Sequence, residues 1–476
     1  MEFHSDFFIK AADFVGALLP HQQRAIDKLK KTDAILLYHG LGSGKTATSI
    51  AMTEGDNAEV VVPASLRGNY EKEIKKFTKG APSRSVVSYN KFLKEPYSTS
   101  KTLVLDEPQK IGRTSSHTSQ AIVNHAKNFN KRILLSGTPA SNNPAELAPI
   151  IRTLTPGAVN IPLNPTDFNK KFIGETKVQA PILQRIFLGA QPGVENYVKN
   201  IDDIKSAIKG KVDYYQPSQE HYPERINETR DVEASKEQMK YYSVVTHKAN
   251  PVLAWKVKRN MPLSKQESTQ LNAFMTAARQ VSNTTKPYGG KEELSPKINA
   301  VVSDFESQMK NNPHHKGIIY SNYLSSGINE VANQFDKKQI PYVKFTGDLG
   351  ETKRKQAISD YNEGRTKAIL LSGAGAEGLD LKGTRSIQIM EPHWNKNKIE
   401  QVIGRGIRYK SHDALPENER NVHVIQYHTT VPKTMTQKIL RKKSDTSTDQ
   451  YLDELGAKKQ HLLDKFLDVL KEEGSS

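Results

Sequence analysis

An α/β fold follows from three features of the chain: two tandem parallel-sheet lobes, helical insertions between them, and a C-terminal helix. Its 476 residues exceed what one hydrophobic core holds, because a domain runs to roughly 100–200 residues. Short apolar runs alternate with helical segments in two separate blocks, and strands alternating with helices give a parallel sheet with right-handed crossovers. Between the blocks, residues 156–290 lose the strand rhythm and become charged and helical.

In the first block, residues 34–38, 59–62, 84–87, 102–105 and 132–135 are short, apolar and bounded by turn or charged residues, which is the pattern of buried strands. The second block repeats it at 317–320, 342–345, 368–371, 386–390 and 422–427. Residues 235–247 and 264–283 read as helices of the intervening region. Beyond the polar 444–447, the residues Tyr451, Leu455, Leu462, Phe466 and Leu470 recur at helical spacing. They predict an amphipathic helix, N-capped by Ser447 or Thr448, that packs back on the lobes. The expected division is therefore 1–155, 156–290, 291–445 and 446–476, with no internal repeat and no low-complexity tract.

Sixty-nine Lys and Arg against fifty-two Asp and Glu give a net charge of +17, so a polyanion is the expected partner, with a merely soluble basic surface as the alternative. The chain has no cysteine, which excludes disulfides, thiol catalysis and Cys-based zinc sites. His314-His315 beside Pro313 reads as a loop. Residues 1–12 lack the pattern of a signal peptide, and no stretch reaches the ~18 uncharged apolar residues that span a bilayer. A cytoplasmic or nuclear location, in the host cell if the chain is viral, is the expectation.

A strand at residues 34–38 runs into His39-Gly40-Leu41-Gly42-Ser43-Gly44-Lys45-Thr46 and then a helix. Backbone N–H groups of such a turn surround phosphate, Lys45 adds a point charge, the helix N-terminus favours the anion, and Thr46 ligates Mg²⁺. His39 stands where the strict pattern has glycine; Gly40, Gly42 and Gly44 remain to supply the turn. The strand at 102–105 ends in Asp106-Glu107, which places Asp106 beside the phosphate loop as a Mg²⁺ contact and Glu107 as the base for an attacking water. ATP and Mg²⁺ are the expected cofactors.

These words resemble a known family. Leu19-Pro20-His21-Gln22, the loop at 40–46, Asp106-Glu107, Ser136-Gly137-Thr138-Pro139, Gly373 to Leu381 and Gln401-Val402-Ile403-Gly404-Arg405-Gly406-Ile407-Arg408 stand in the order of superfamily 2 helicases, whose lobes are RecA-like. Within it the chain is similar to the Snf2-related branch, through Val62-Pro63-Ala64-Ser65-Leu66 with Tyr70 and Glu73, Asn142 to Leu147, Ala278-Arg279-Gln280 and Trp394-Asn395. The stretches 210–215, 408–412 and 450–470 look closest to compact viral and phage members, including the poxvirus nucleoside triphosphate phosphohydrolase.

The resemblance implies that Gln22 reads adenine and that Ser136, Gly137 and Thr138 couple the γ-phosphate to the DNA-contacting surface. It implies that Gly378 and Asp380 belong to the nucleotide and coupling segment, that Gln401 lies near the water, and that Arg405 and Arg408 act as arginine fingers. A guanidinium pairs bidentately with phosphate and offsets the charge of transfer. Pro108-Gln109 departs from the usual acidic box and puts the coupling contacts of that loop in doubt. Trp255 with Lys256, Lys258 and Arg259 reads either as a strand grip or as a buried Trp beside a solvated basic face.

The implied activity is a DNA-dependent ATPase motor, expected to be a monomer, that translocates on DNA through the phosphate backbone, with RNA as an alternative strand, and unwinds or branch-migrates it. A protein-displacing or transcript-release translocase without strand separation is a second reading. A non-catalytic DNA-binding scaffold is the reading of another class, and it requires a broken catalytic set. A small-molecule P-loop kinase would lack the second, arginine-bearing lobe.

Overall fold

The computed structural model describes residues 14–79, 84–94, 99–218, 220–248, 250–347, 349–373, 379–440 and 442–475. The N-terminal stretch 1–12, Gly375 and Gly378, all read above, lie outside the described residues.

Fourteen strands occur among the described residues: β1 Ala34–His39, β2 Ala58–Val62, β3 Arg84–Ser88, β4 Thr102–Asp106, β5 Lys131–Ser136, β6 Ile173–Val178, β7 Gly193–Val198, β8 Val212–Tyr215, β9 Glu224–Glu233, β10 Gly317–Ser321, β11 Tyr342–Phe345, β12 Ala368–Ser372, β13 Ser386–Ile389 and β14 Asn421–Thr430. One six-stranded sheet has the order β3-β2-β4-β5-β1-β8 and the other β11-β12-β10-β13-β14-β9. Every pairing in both is parallel. β6 and β7 make a separate two-stranded sheet.

The helical reading of residues 156–290 is corrected by β6 to β9, two of which complete the large sheets. β8 and β9 are edge strands. An edge strand pairs on one side only and tolerates charge, so β9 (ERINETRDVE) shows none of the apolar run that marks a strand buried on both faces. The expected helices are present as Lys236–Lys248 and Lys265–Asn283, the latter with Ser264 and Glu267 in a reciprocal cap.

The chain divides into two units. The first comprises residues 1–174, 196–218 and 461–476, and the second comprises 175–195 and 219–460. In the first, alternate residues of one strand enter opposite cores: Ala34, Leu36 and Tyr38 join one cluster, Ile35 and Leu37 the other. The second unit repeats this with Ile318 and Tyr320 on one face of β10 and Ile319 on the other. Both faces of each sheet are therefore covered, as the continuous apolar runs require.

The final helix, Thr448–Ser475, starts at Ser447, whose Oγ accepts from Gln450 N at 3.1 Å while Gln450 Oε1 accepts from Ser447 N. Its first turns bury Tyr451 and Leu452 in a cluster of the second unit with Leu253, Val257 and Phe274. Its last turns bury Leu463, Phe466, Leu467, Val469 and Leu470 in the core of the first unit. No helix among the described residues is long and apolar enough to cross a membrane.

Candidate functional site

Three neighbouring strands of the first sheet, β4, β5 and β1, bring their carboxyl ends to one edge. The register pairs Tyr38 with Ser136 and Asp106 with Leu135, so the phosphate loop, the acid pair and the Ser-Gly-Thr turn meet there. Gly42 and Gly44 both take φ of +77°, a left-handed conformation that strains any other residue. A Cβ on Gly44 would lie 2.6 Å from Gln22 Nε2. Gln22 Oε1 accepts from Leu19 N at 2.8 Å and its amide reaches the Gly44 carbonyl at 3.4 Å, so the adenine-reading candidate sits against the phosphate loop.

Lys45 begins the helix Lys45–Met52 and donates to the carbonyls of His39 (2.8 Å) and Gly40 (3.1 Å). Burial pulls its ammonium below the usual lysine range, against the attraction of Glu107 and Asp106. Burial, and then Glu107, push the Asp106 carboxyl up to about 7, against Lys45. Two crowded carboxylates at the mouth of a glycine cradle have the chemistry to hold a divalent cation beside phosphate, with Thr46 at the start of the same helix. Mg²⁺ binds through one or two carboxylates plus phosphate oxygens, so the residues present fit the expected ion.

Glu107 occupies the left-handed region (φ 55°, ψ 50°). For a non-glycine residue this costs about 1–3 kcal/mol and persists only where surrounding bonds impose it. Here Glu107 N donates to Leu135 O at 2.9 Å, and Gln109 Nε2 donates to Glu107 Oε2. The other end of the Gln109 amide, at the departure from the usual acidic box, meets the Ser-Gly-Thr turn. Ser136 Oγ donates to Gln109 Oε1 at 2.9 Å, and Thr138 N donates to Ser136 Oγ at 3.1 Å. A continuous line runs from Glu107 through Gln109 and Ser136 to Thr138. Gly137 lies alongside, where a Cβ would stand 3.7 Å from Lys45 Nζ.

A second tie holds the same two loops. Buried Glu146 accepts from Ser141 N (2.8 Å) and from Arg113 Nε (3.3 Å), which accounts for the 142–147 segment singled out in the sequence.

Sequence reasoning missed a cluster on the other flank of the phosphate loop. His39 is the last residue of β1 and is buried, and its Nε2 meets Asp213 Oδ1 at 2.7 Å. Arg24 pairs with both Asp213 oxygens at 2.8 and 2.9 Å. Burial alone would raise the Asp213 carboxyl, but the bonded His39 ring and Arg24 guanidinium hold it below the usual range. Burial lowers His39 despite Asp213. His21 stacks on Tyr215 at 3.6 Å between centroids and contacts Ser43 O at 2.9 Å. Gly40 N donates to Tyr215 O at 2.8 Å. The signal available in the sequence was the stretch Asp213-Tyr214-Tyr215, noticed only as a likeness.

In the second unit the helix Lys396–Gly406 carries Gln401, which is exposed, and Arg405. Asn395 caps it by accepting from Asn397 N at 3.0 Å. The two arginines read as fingers do not share this helix: it ends at Gly406, and Arg408 lies in the following turn. From there its Nε donates to Gly404 O at 3.2 Å and its guanidinium sits 3.6 Å from Asp380. Asp380 therefore meets an arginine of the other motif.

At the carboxyl ends of β10 and β12, buried Glu391 accepts from Asn322 N at 2.9 Å, and Lys398 Nζ lies 3.4 Å from Asn322 Oδ1. Gly373 is beside them, where a Cβ would stand 3.3 Å from Lys398 Nζ. Burial, and then Arg279, lower the Lys398 ammonium. The Arg279 guanidinium lies over Tyr323 and donates to Pro392 O at 3.2 Å.

The reading of Trp255 with three surface cations is corrected at Lys256, which is fully buried and bonds Gln191 O and Glu267, each at 2.7 Å. His315 is a buried histidine on Ser386 Oγ, pushed down to about 3 by burial.

The chemistry is divided between two parallel-sheet units, phosphate loop and acids on one, motif arginines on the other, and this division is that of a superfamily 2 helicase core. The sequence matches the SNF2-related domain over residues 84–286 and the helicase conserved C-terminal domain over residues 297–410. It is 30% identical over 464 residues to L538 of Acanthamoeba polyphaga mimivirus, whose name places it with ATP-dependent RNA helicases; the match covers 94% of this chain and 96% of that protein. A termination factor NPH-I homolog of African swine fever virus is 24% identical over 549 residues, covering 93% of this chain and 76% of the relative. The helicase domain of Pyrococcus furiosus Hef has the same fold, with a TM-score of 0.50 at 12% identity, covering 88% of this chain and 97% of that one. The chain belongs to the SNF2-related family of superfamily 2 and is an ATP-hydrolysing helicase-family enzyme with viral relatives.

Proposed function

We propose that the chain is a nucleic-acid-stimulated motor that translocates on duplex DNA by its phosphate backbone and unwinds or remodels it. The observation that carries this reading is the hydrogen-bonded line from Glu107 through Gln109 and Ser136 to Thr138. It ties the hydrolytic acid to the loop whose Gly-Thr-Pro turn is the coupling candidate. A purely chemical phosphatase has no need of such a tie.

Gln22 and Gly40, Gly42 and Gly44 hold the nucleotide, and Lys45 bears on its phosphates. Thr46 and Asp106 would hold Mg²⁺, which would supply charge neutralisation for the phosphates. Glu107, held by Gln109, takes the proton of the water that attacks the γ-phosphorus, and the electron pair of the broken bond leaves on ADP. Arg405 and Arg408 offset the charge on the transferring group, with Gln401 beside the water. Asp380 holds Arg408 in place and so takes part in that step. Arg279, Lys398 and Asn322 grip backbone phosphate, which carries no sequence information and suits a motor that slides.

The test is ATP turnover without nucleic acid and with duplex DNA, single-stranded DNA or RNA, followed by strand-displacement and protein-displacement assays. Stimulation by duplex DNA above RNA is expected. Stimulation by RNA alone would overturn the DNA assignment in favour of the activity in the mimivirus relative's name. Displacement of bound protein or transcript without strand separation would replace unwinding by the second reading.

A further inference from the structure

The turn after the motif arginines presents an aromatic ring that neither ATP hydrolysis nor the phosphate grip uses. Tyr409 is half exposed (51%), although the turn that carries it is anchored throughout. Arg408 N donates to Ser411 Oγ (3.2 Å), and Ser411 N donates to Arg408 O (3.1 Å). Gly383 N donates to Ser411 O (2.9 Å), and the buried His412 ring meets Thr384 O (2.6 Å). Lys410 takes φ +60°, and its N donates to His221 O at 2.9 Å. A non-glycine residue in that conformation costs free energy, so the display of Tyr409 is held in place against local preference.

The ring has an aromatic backing. His221 meets it edge-on, with centroids 5.5 Å apart and planes at 83°, and Tyr222 lies 5.9 Å away. Lys410 Nζ stands 5.3 Å from its centroid. Burial, and then Tyr409, raise the Tyr222 phenol, against Arg408, whose positive charge thus bears on the same cluster.

We propose that Tyr409 is a stacking platform for a nucleobase. A half-exposed phenol on an anchored turn can stack on any base regardless of sequence, and the flanking cations suit the phosphate that accompanies every nucleotide. The base belongs either to ATP or to a bound strand. The assignment rests on the proposed role of Arg408 only for the ATP source.

The test uses the full-length chain as wild type, Tyr409→Ala and Tyr409→Phe, each with an unchanged melting temperature. In the nucleotide arm, KM for ATP is compared with inhibition by tripolyphosphate, which has no base. In the strand arm, binding of an oligonucleotide is compared with binding of its abasic counterpart, without nucleotide.

Stacking predicts that Tyr409→Ala weakens one base-bearing probe by about tenfold or more, leaves its base-free counterpart unchanged, and is rescued by Tyr409→Phe. The arm that responds identifies the source. Equal loss of base-bearing and base-free probes, no loss in either arm, or failure of Phe to rescue overturns the proposal. Absence of nucleic-acid stimulation in the wild type would sink the motor reading, yet the nucleotide arm would still decide Tyr409.

Discussion

Asp106 is the proposed cation contact whose protonation a cation would oppose. Its carboxyl, pushed up to about 7 by burial and Glu107, lies above its unfolded value near 3.9. Its proton therefore stabilises the folded protein fully below that value, and the contribution is lost as pH rises through about 7. Binding Mg²⁺ requires the ionised form, so the rise in melting temperature on adding Mg²⁺ and ATP should grow between pH 6 and 8. Asp106→Asn should flatten that slope to the nucleotide's own titration; an unaltered slope would remove Asp106 from the metal site. At the same edge, Lys45→Ala should abolish hydrolysis while nucleic-acid binding survives, measured as ATP turnover against duplex retention. Glu107→Gln should bind ATP and stall, and Gln109→Ala should lower kcat with KM for ATP little changed, since Gln109 acts through Glu107 and Ser136. Lys45, Asp106 and Glu107 were legible because a phosphate loop and a strand-end acid pair are contiguous words. The contact of Gln109 was not legible because its partner Ser136 is 27 residues away and meets it only after β4 and β5 pair.

At the scale of elements, the strands that were legible carry apolar runs, including the edge strands β3 and β11, and those that escaped are short or charged: β8 at the edge of one sheet, β9 at the edge of the other, and the separate pair β6 and β7. β8 is four residues long, yet it supplies Asp213 and Tyr215 to the flank of the phosphate loop. Gly40 is packed against the same segment, where a Cβ would meet Gln216 Oε1 and Pro217 Cδ at 2.7 Å each. Asp213→Ala would leave the His39 ring and Arg24 without their acceptor. Breaking a fully buried pair costs about 3–5 kcal/mol; with the Arg24 side chain half exposed, about 2 kcal/mol is expected, read as a lower denaturation midpoint together with a raised KM for ATP. A normal KM in a destabilised Asp213→Ala protein would show that β8 is a structural edge only. The helix Thr448–Ser475 was legible from its apolar spacing, but its division between two cores was not, since periodicity gives a face and not what covers it. Phe466 is fully buried in the first unit, so Phe466→Ala should cost about 3–5 kcal/mol by removing a large core side chain. A midpoint shift far smaller than that would mean the last turns are dispensable.

At the scale of the whole molecule, the proposed reading gives each unit only part of the chemistry. The phosphate loop, Asp106 and Glu107 belong to the first unit, and Gln401, Arg405 and Arg408 to the second. Arg405 and Arg408 lie in the helix and turn after β13, whose sheet is not the one containing β1, the strand that leads to Lys45. On the proposed reading, nucleic acid raises turnover by favouring the arrangement in which the arginines bear on the transferring phosphoryl group. The gain should then appear chiefly in kcat, and an arginine supplied in this way is worth ~10³–10⁵ in rate. The +17 charge makes the partner's grip a matter of counterion release, so stimulation should fall steeply between low and moderate salt while unstimulated turnover changes little. Arg405→Ala and Arg408→Ala should each remove most of the stimulated rate and leave duplex binding nearly intact, because the proposed backbone contacts at Arg279, Lys398 and Asn322 are separate side chains. Arg408→Lys should rescue poorly, since a point charge lacks the planar fork that grips phosphate and Asp380 together. Steady-state turnover against DNA concentration, at two salt concentrations, for wild type and the three arginine variants separates the terms. If turnover without nucleic acid equals that at saturating DNA, or if the arginine variants lose binding and rate in parallel, the arginines are part of the grip and stimulation has another cause.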